Sequence, residues 1–318
     1  MKKILYVVHR YAPYPGGSEN YVRDMAEETV SRGHEAWVLA GEHKGDLNGV
    51  RVTSDFNVLN LKFDLIVVHG ADVGFQNTVL MNAEKIPSPI LFMIIRPTES
   101  DVQIQAMQKV KFIGCSAPED WELISKYEHR NKSYRVIHGI DPKISTGLPG
   151  FREKYNIKHK YMFLSCGGYW PNKAMRELVG VFNSVGRDDA ILVLTGYDDR
   201  HGLMPTKTDN VLPLMIDDRD DVMSAIKEAD LYIMHSFSEG FGLVLLESML
   251  NKTQWASREI AGARLMKEFG FTYSHDSQLR EYLIDFNGPS ENKIDNAYEY
   301  VIHSHMISNT VNDILRLT

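Results

Sequence analysis

The stretch Ser236-Phe237-Ser238-Glu239-Gly240-Phe241-Gly242-Leu243-Val244-Leu245-Leu246-Glu247-Ser248-Met249 decides how the chain is read. It follows residues 230–235, whose apolar run has the length of a short buried strand. From 242 to 250 apolar residues recur on nearly every side of a helix. Glu247 lies inside that helix and is expected to be largely buried. A buried ionised carboxylate needs hydrogen-bond donors, which the hydroxyls of a ribose supply; a neighbouring Lys or Arg is the other way to satisfy it. Eight residues at about 100° each return to within about 80° of the start, so Glu239 and Glu247 are expected to face one cleft. Gly240 and Gly242 leave the first backbone N–H groups of the helix open to phosphate or hydroxyl oxygens, at the positive end of its dipole.

Working outward, strand-like runs alternate with helical patterns. Strands are expected at 4–8, 35–40, 65–68, 90–95, 112–115 and 134–137, with helices at 20–32, 102–109 and 118–127. A second series has strands at 162–166, 191–194, 211–214 and 231–235, with helices at 175–185 and 221–228 before the helix bearing Glu247. This is the pattern of parallel α/β sheets, and two Rossmann-like halves facing a cleft are the economical architecture. The turn-rich segment 141–150 is the best linker. The expected domains are therefore 1–146 and 147–299, with the helical tail from about 300 to 318 packing back on the first.

Length and composition agree. The 318 residues are 43% hydrophobic, enough for two soluble domains with real cores. The two cysteines, Cys115 and Cys166, each end an expected strand and read as core residues of a protein in a reducing compartment. The N-terminal apolar run of five residues, cut by His9 and Arg10, is far too short for a signal peptide or membrane span, so a cytoplasmic location is expected. Residues 1–150 carry a net charge of −1 and the remainder −6. The densest basic cluster, Lys126, His129, Arg130, Lys132 and Arg135, fits a solvated helix end better than a membrane or anionic surface, because Glu122 and Glu128 are interleaved.

Four separately placed segments resemble the retaining glycosyltransferases of group 1, family 4, which have the GT-B fold. Residues 236–249 are similar to the family's E-x7-E segment. Pro15-Gly16-Gly17-Ser18-Glu19 resembles its glycine-glycine-x-Glu loop, Asn172-Lys173-Ala174 its phosphate-binding lysine segment, and 256–262 its Ala-Ser-x-x-x-Gly-Gly turn. The resemblance implies transfer of a sugar from a nucleotide-diphosphate donor, UDP- or GDP-linked, to an acceptor hydroxyl with retention of configuration, with no cofactor and no metal. It assigns Glu247 to ribose hydroxyls, and Glu239 with the N–H groups of Gly240, Phe241 and Gly242 to the transferred sugar. Lys173 and the N–H of Gly17 fall to the diphosphate, which makes Lys173 and Glu239 the expected catalytic pair. His9, Arg10, Glu19, His69 and Arg96 are the acceptor-side candidates, and the acceptor is a glycan, a lipid or a hydroxylated nucleic-acid base. Gly168 stands where the family commonly has an arginine, a clamp that Arg10 or Arg176 is placed to replace. Arg96 stands where a cleft histidine is usual. A sugar-nucleotide epimerase or hydrolase, or a non-catalytic sugar-nucleotide or glycan-binding protein on the same fold, are the competing readings.

Other motifs are weaker. Asp218-Arg219-Asp220 has the letters of a D-x-D metal site, but acidic residues on either side of it at a helix start favour a capping role. His9, His69, His138 and His235 each follow an apolar run without the spacing of a zinc site. The pair Gly240 and Gly242 lacks the third glycine of a dinucleotide fingerprint.

Overall fold

The computed structural model describes residues 1–71 and 74–318. It parts the chain into two units, 1–140 with 305–318, and 141–304. In the first unit β1 (Lys3–Arg10), α1 (Gly17–Ser31), β2 (Glu35–Glu42), β3 (Arg51–Thr53), β4 (Leu65–His69), α2 (Gly74–Met81), β5 (Ile90–Met93), α3 (Asp101–Lys109), β6 (Phe112–Cys115), α4 (Pro118–Lys126) and β7 (Ser133–Arg135) follow in order. Their sheet runs β3-β2-β1-β4-β5-β6-β7. The second unit holds α5 (Pro142–Ser145), α6 (Phe151–Lys154), β8 (Tyr161–Cys166), α7 (Met175–Val185), β9 (Ala190–Gly196), β10 (Val211–Met215), α8 (Arg219–Glu228), β11 (Leu231–Met234), α9 (Leu243–Leu250), β12 (Trp255–Arg258), α10 (Gly262–Leu265), β13 (Phe271–Tyr273), α11 (Asp276–Asp285) and α12 (Glu291–Ser304). Its sheet runs β10-β9-β8-β11-β12-β13, and α13 (Ile307–Leu315) then returns to the first unit.

Every strand pairing in the two sheets is parallel. The central strands β4, β5, β9 and β11 are buried along their whole length, because a parallel sheet is covered by helices on both faces. Right-handed crossovers fix which face each helix takes. In the second unit the path from β8 to β9 runs one way and the paths from β10 to β11 and from β11 to β12 run the other. So α7, with α11 packed on it, covers one face, and α8 and α9 cover the opposite one.

The helical tail expected from about 300 to 318 is divided, α12 ending at Ser304 and α13 starting at Ile307. Ile140 N–H donates to the His305 carbonyl at 2.9 Å and Ile307 N–H to the Ile140 carbonyl at 2.9 Å, a strand-like bridge that a continuous helix excludes. A Cβ on Gly139 would lie 2.3 Å from the Met306 carbonyl oxygen, so only glycine allows this approach. α13 then packs on α1, where Arg32 donates to Asn312 Oδ1 at 2.6 Å and to the Ser308 carbonyl at 2.8 Å. The division falls after Ile140, whereas 146/147 was expected. Residues 141–147 belong with the second unit because Asn251 binds both the Ser145 carbonyl and the Gly147 N–H, each at 2.7 Å. Among the described residues no helix is long and apolar enough to cross a membrane.

Candidate functional site

Each sheet reverses its strand order once, between β1 and β4 in the first unit and between β8 and β11 in the second. In open α/β sheets the carboxyl ends of the strands at such a point diverge into a crevice, where ligands bind. The loops following β8 and β11 carry Lys173 and Glu239.

In the loop after β8, Gly167 adopts φ 144°, and a Cβ there would lie 3.1 Å from Lys173 Cε, so the lysine stem lies across this glycine. Lys173 ends a 3-10 turn over Pro171–Lys173 that passes through left-handed Ala174 into α7. Its Nζ meets Glu239 Oε1 at 2.6 Å, and Ser236 Oγ donates to the same oxygen at 2.6 Å. The two loops are also joined by the Phe237 N–H, which donates to the Asn172 carbonyl at 2.8 Å.

The helix that follows begins one residue later than expected, at Leu243, with Gly242 capping it in the left-handed conformation at φ 86°. Glu239 therefore precedes the helix, and the 100° rotation that was expected to align it with Glu247 does not apply to it. Its direction is set instead by Lys173 and Ser236. For the same reason the N–H groups of Gly240 and Phe241 belong to the loop rather than to the helix's first turn. The Phe241 carbonyl accepts from Gly262 N–H at 3.0 Å, and a Cβ on Gly262 would stand 2.3 Å from that oxygen, so the glycine of the 256–262 segment holds this loop in place.

Glu247 lies on α9 and is 8% exposed. Its Oε1 accepts from Arg219 Nη2 at 2.6 Å. The same guanidinium donates to Ser145 Oγ at 3.0 Å and, through Nε, to the Ile144 carbonyl at 3.2 Å. Arg219, Ser145, Asn251 and Ser236 were not identified from the sequence. The one signal for Arg219 lay in the D-x-D-like triplet, whose middle residue it is. Asp218 in that triplet caps α8, accepting from Asp220 N–H at 2.9 Å, and Asp221 pairs with Lys154.

Behind the β11 loop, His235 is fully buried. Arg258 Nη2 approaches its Nε2 at 2.9 Å, and its Nδ1 lies 2.6 Å from Tyr273 Oη. Arginine only donates, so Nε2 accepts and the proton sits on Nδ1. Burial, reinforced by the Arg258 charge, pushes His235 down to about 4, which makes it a neutral structural support. Arg258 also lies over the Phe237 ring at 5.0 Å. Burial likewise pushes the Cys166 thiol up to about 12, so it is no nucleophile. Both cysteines are free.

The replacements expected for the missing arginine are otherwise engaged. Gly168 is required by its own neighbour, since a Cβ there would lie 2.5 Å from the Trp170 ring. Arg176 donates to the carbonyls of Gly202 at 2.6 Å and Leu203 at 3.0 Å, and Arg10 is committed to Glu19 within the first unit.

In the first unit the structure brings together His9, Arg10 and Glu19. Glu19, 3% exposed, accepts on Oε1 from Arg10 Nη2 at 2.7 Å and Nε at 3.0 Å, with His9 Nε2 at 3.4 Å. Burial lowers the pKa of His9 in spite of that carboxylate. Gly16 cannot be replaced without moving Glu19, whose Oε2 would lie 2.3 Å from its Cβ, whereas a Cβ on Gly17 would meet nothing within 4 Å. His69, at the end of β4, is pushed down to about 3 by burial and by His9. Arg96 is exposed after β5, its carbonyl accepting from Gln103 at 3.1 Å. The basic cluster near the end of α4 makes local contacts: Lys126 pairs with Glu99 at 2.5 Å, and Lys132 donates to the Gln108 carbonyl at 2.9 Å.

Residues 150–264 match the family described as "Glycosyl transferases group 1". No curated protein sequence matches the chain. Among solved structures, a sucrose-phosphate synthase from Thermosynechococcus elongatus superposes with a TM-score of 0.80 at 14% identity, over 100% of this chain and 98% of that one. HepE from Anabaena, in complex with UDP-glucose, gives 0.77 at 15% identity over 100% of both chains. A glycosyltransferase from Rickettsia africae gives 0.75 at 14% identity, over 99% of this chain and 97% of that one. At these identities the likeness establishes the fold, which is GT-B.

Proposed function

We propose that this chain, a GT-B protein that belongs with the group 1 glycosyl transferases through the match over its second unit, moves a sugar from a nucleotide-diphosphate donor to an acceptor hydroxyl with retention of configuration. The observation that carries the reading is the meeting of Lys173 and Glu239 in two loops at the strand-order reversal, with a second carboxylate, the buried Glu247, on the helix that follows. HepE has been solved with UDP-glucose, which supports a nucleotide sugar as the ligand of such a crevice.

In the free protein Lys173 is neutralised by Glu239. When the donor enters, the lysine transfers to the diphosphate, whose negative charge grows as the glycosidic bond breaks. Glu239, released from the lysine, accepts from hydroxyls of the transferred sugar, and Glu247 accepts from ribose hydroxyls. Attack of the acceptor hydroxyl on the face the diphosphate leaves retains configuration, and the departing phosphate takes the acceptor's proton. Charge neutralisation by Lys173 makes the transfer metal-independent on this reading, with Asp218 serving as a helix cap. The donor is UDP- or GDP-linked, no cofactor takes part, and the acceptor is a glycan, a lipid or a hydroxylated nucleic-acid base.

The test is a panel of UDP-, GDP- and ADP-sugars incubated with and without such acceptors and read by mass spectrometry. Acceptor gaining the mass of one sugar, with release of the nucleoside diphosphate, is expected. Donor consumed equally without acceptor indicates a hydrolase, and binding without consumption indicates a non-catalytic protein; either result overturns the proposal.

A further inference from the structure

Resting on the ribose role given above to Glu247, we infer that Arg219 is the positioning residue that makes Glu247 able to read a ribose. Three observations bear on it. First, Glu247 is a buried carboxylate on a helix of mainly apolar residues, and a charge in such a setting is costly unless it is paired and hydrogen-bonded. Arg219 supplies the partner, its Nη2 donating to Oε1 at 2.6 Å. An ionised carboxylate can accept at both oxygens, so Oε2 retains the capacity to take ribose hydroxyls while Oε1 stays anchored.

Second, the guanidinium is itself held in place. Its Nε donates to the Ile144 carbonyl at 3.2 Å and Nη2 to Ser145 Oγ at 3.0 Å, so two further acceptors from α5 fix its plane. Ser145 is in turn held by Asn251, whose Nδ2 donates to the Ser145 carbonyl at 2.7 Å and to the Glu247 carbonyl at 2.8 Å. The ring of contacts from Glu247 through Arg219, Ser145 and Asn251 back to α9 leaves the carboxylate with a fixed direction. Third, Arg219 is the first residue of α8, and α8 and α9 cover the same face of the sheet, so the pair joins neighbouring helices without crossing the strands. A lysine has the charge but lacks the planar fork that reaches Glu247 and α5 together.

The experiment compares binding of UDP with binding of 2′-deoxy-UDP and 3′-deoxy-UDP by calorimetry, with ADP and GDP pairs run in parallel. The wild type is expected to prefer the ribose form about tenfold or more, equivalent to about 1.4 kcal/mol. Arg219→Met should reduce that preference to within about threefold while the protein still melts cooperatively, and Arg219→Lys should restore part of it. Should Arg219→Met fail to fold, Ser145→Ala loosens the same guanidinium more gently and should reduce the preference two- to fivefold. Full preference retained in folded Arg219→Met, or in Ser145→Ala where that is the variant used, overturns this inference and leaves the ribose reading standing. No preference in the wild type overturns the ribose reading itself, and this inference with it. A purely structural arginine would shift the melting temperature and leave the ratio unchanged.

Discussion

Lys173 and Glu239 give opposite predictions for one ligand. Replacing Lys173 by Met removes the cation that binds the diphosphate, and a hydrogen bond to a charged group contributes about 1.5–3 kcal/mol. Affinity for UDP should therefore fall about 10- to 150-fold. Replacing Glu239 by Gln acts the other way, because Nζ–Oε1 at 2.6 Å is a contact that the lysine must give up before it can reach the phosphates. Both side chains keep some exposure, 19% and 14%, so the net worth of the pair is about 1 kcal/mol rather than that of a fully buried one. Glu239→Gln should then bind UDP as well as wild type or up to about fivefold tighter, while transfer from intact donor drops because the sugar loses its carboxylate. Calorimetry with UDP on both variants, alongside turnover, reads the two effects separately. The reasoning is refuted if Glu239→Gln weakens UDP binding as much as Lys173→Met, or if Lys173→Met binds UDP within threefold of wild type.

Stability should depend on the buried histidines. His235, whose folded pKa is about 4 against 6.5 when exposed, contributes stability that is complete above about pH 6.5 and is lost as pH falls from there towards 4; the loss at pH 5 is about 2 kcal/mol, checked by urea midpoints of wild type and His235→Gln at pH 7.5 and 5. Gly262→Ala places a methyl 2.3 Å from the Phe241 carbonyl and should cost about 1–3 kcal/mol of stability, with weakened donor binding because the 240–242 loop shifts; denaturation and calorimetry measure both. Asp218→Ala should lose a helix cap worth about 1 kcal/mol with turnover unchanged, and saturating EDTA should leave transfer intact; activity lost in EDTA and regained with Mg²⁺ or Mn²⁺ contradicts the charge-neutralising role of Lys173.

The α/β order was legible because long strands such as β1 and β8 are built on apolar runs, Ile4 to Val8 and Tyr161 to Leu164, and the helices between strands have amphipathic periods. Short elements were not. β3 and β13 have three residues each and show no periodicity, and β12, Trp255–Arg258, was read as part of a turn because its glycine-bearing continuation dominated the pattern. Glu239 and Glu247 could be named from residue type and spacing, and Lys173 through the resemblance of its segment to that of the group 1 glycosyltransferases. What joins them could not be, since Lys173 meets Glu239 across 66 residues of sequence and Arg219 reaches Glu247 across 28. The triplet at 218–220 shows the limit: its aspartates drew attention as a metal motif, and the residue that contacts the buried carboxylate is the arginine between them.

The claim that a nucleotide diphosphate sits at the strand-order reversal of the second unit is tested most directly by hydrogen exchange with and without saturating UDP. Protection is expected in three segments, 167–174, 235–242 and 243–251, since their N–H groups line or carry the proposed site. Protection confined to residues 1–140, or absent from all three segments while UDP is bound, would contradict the account.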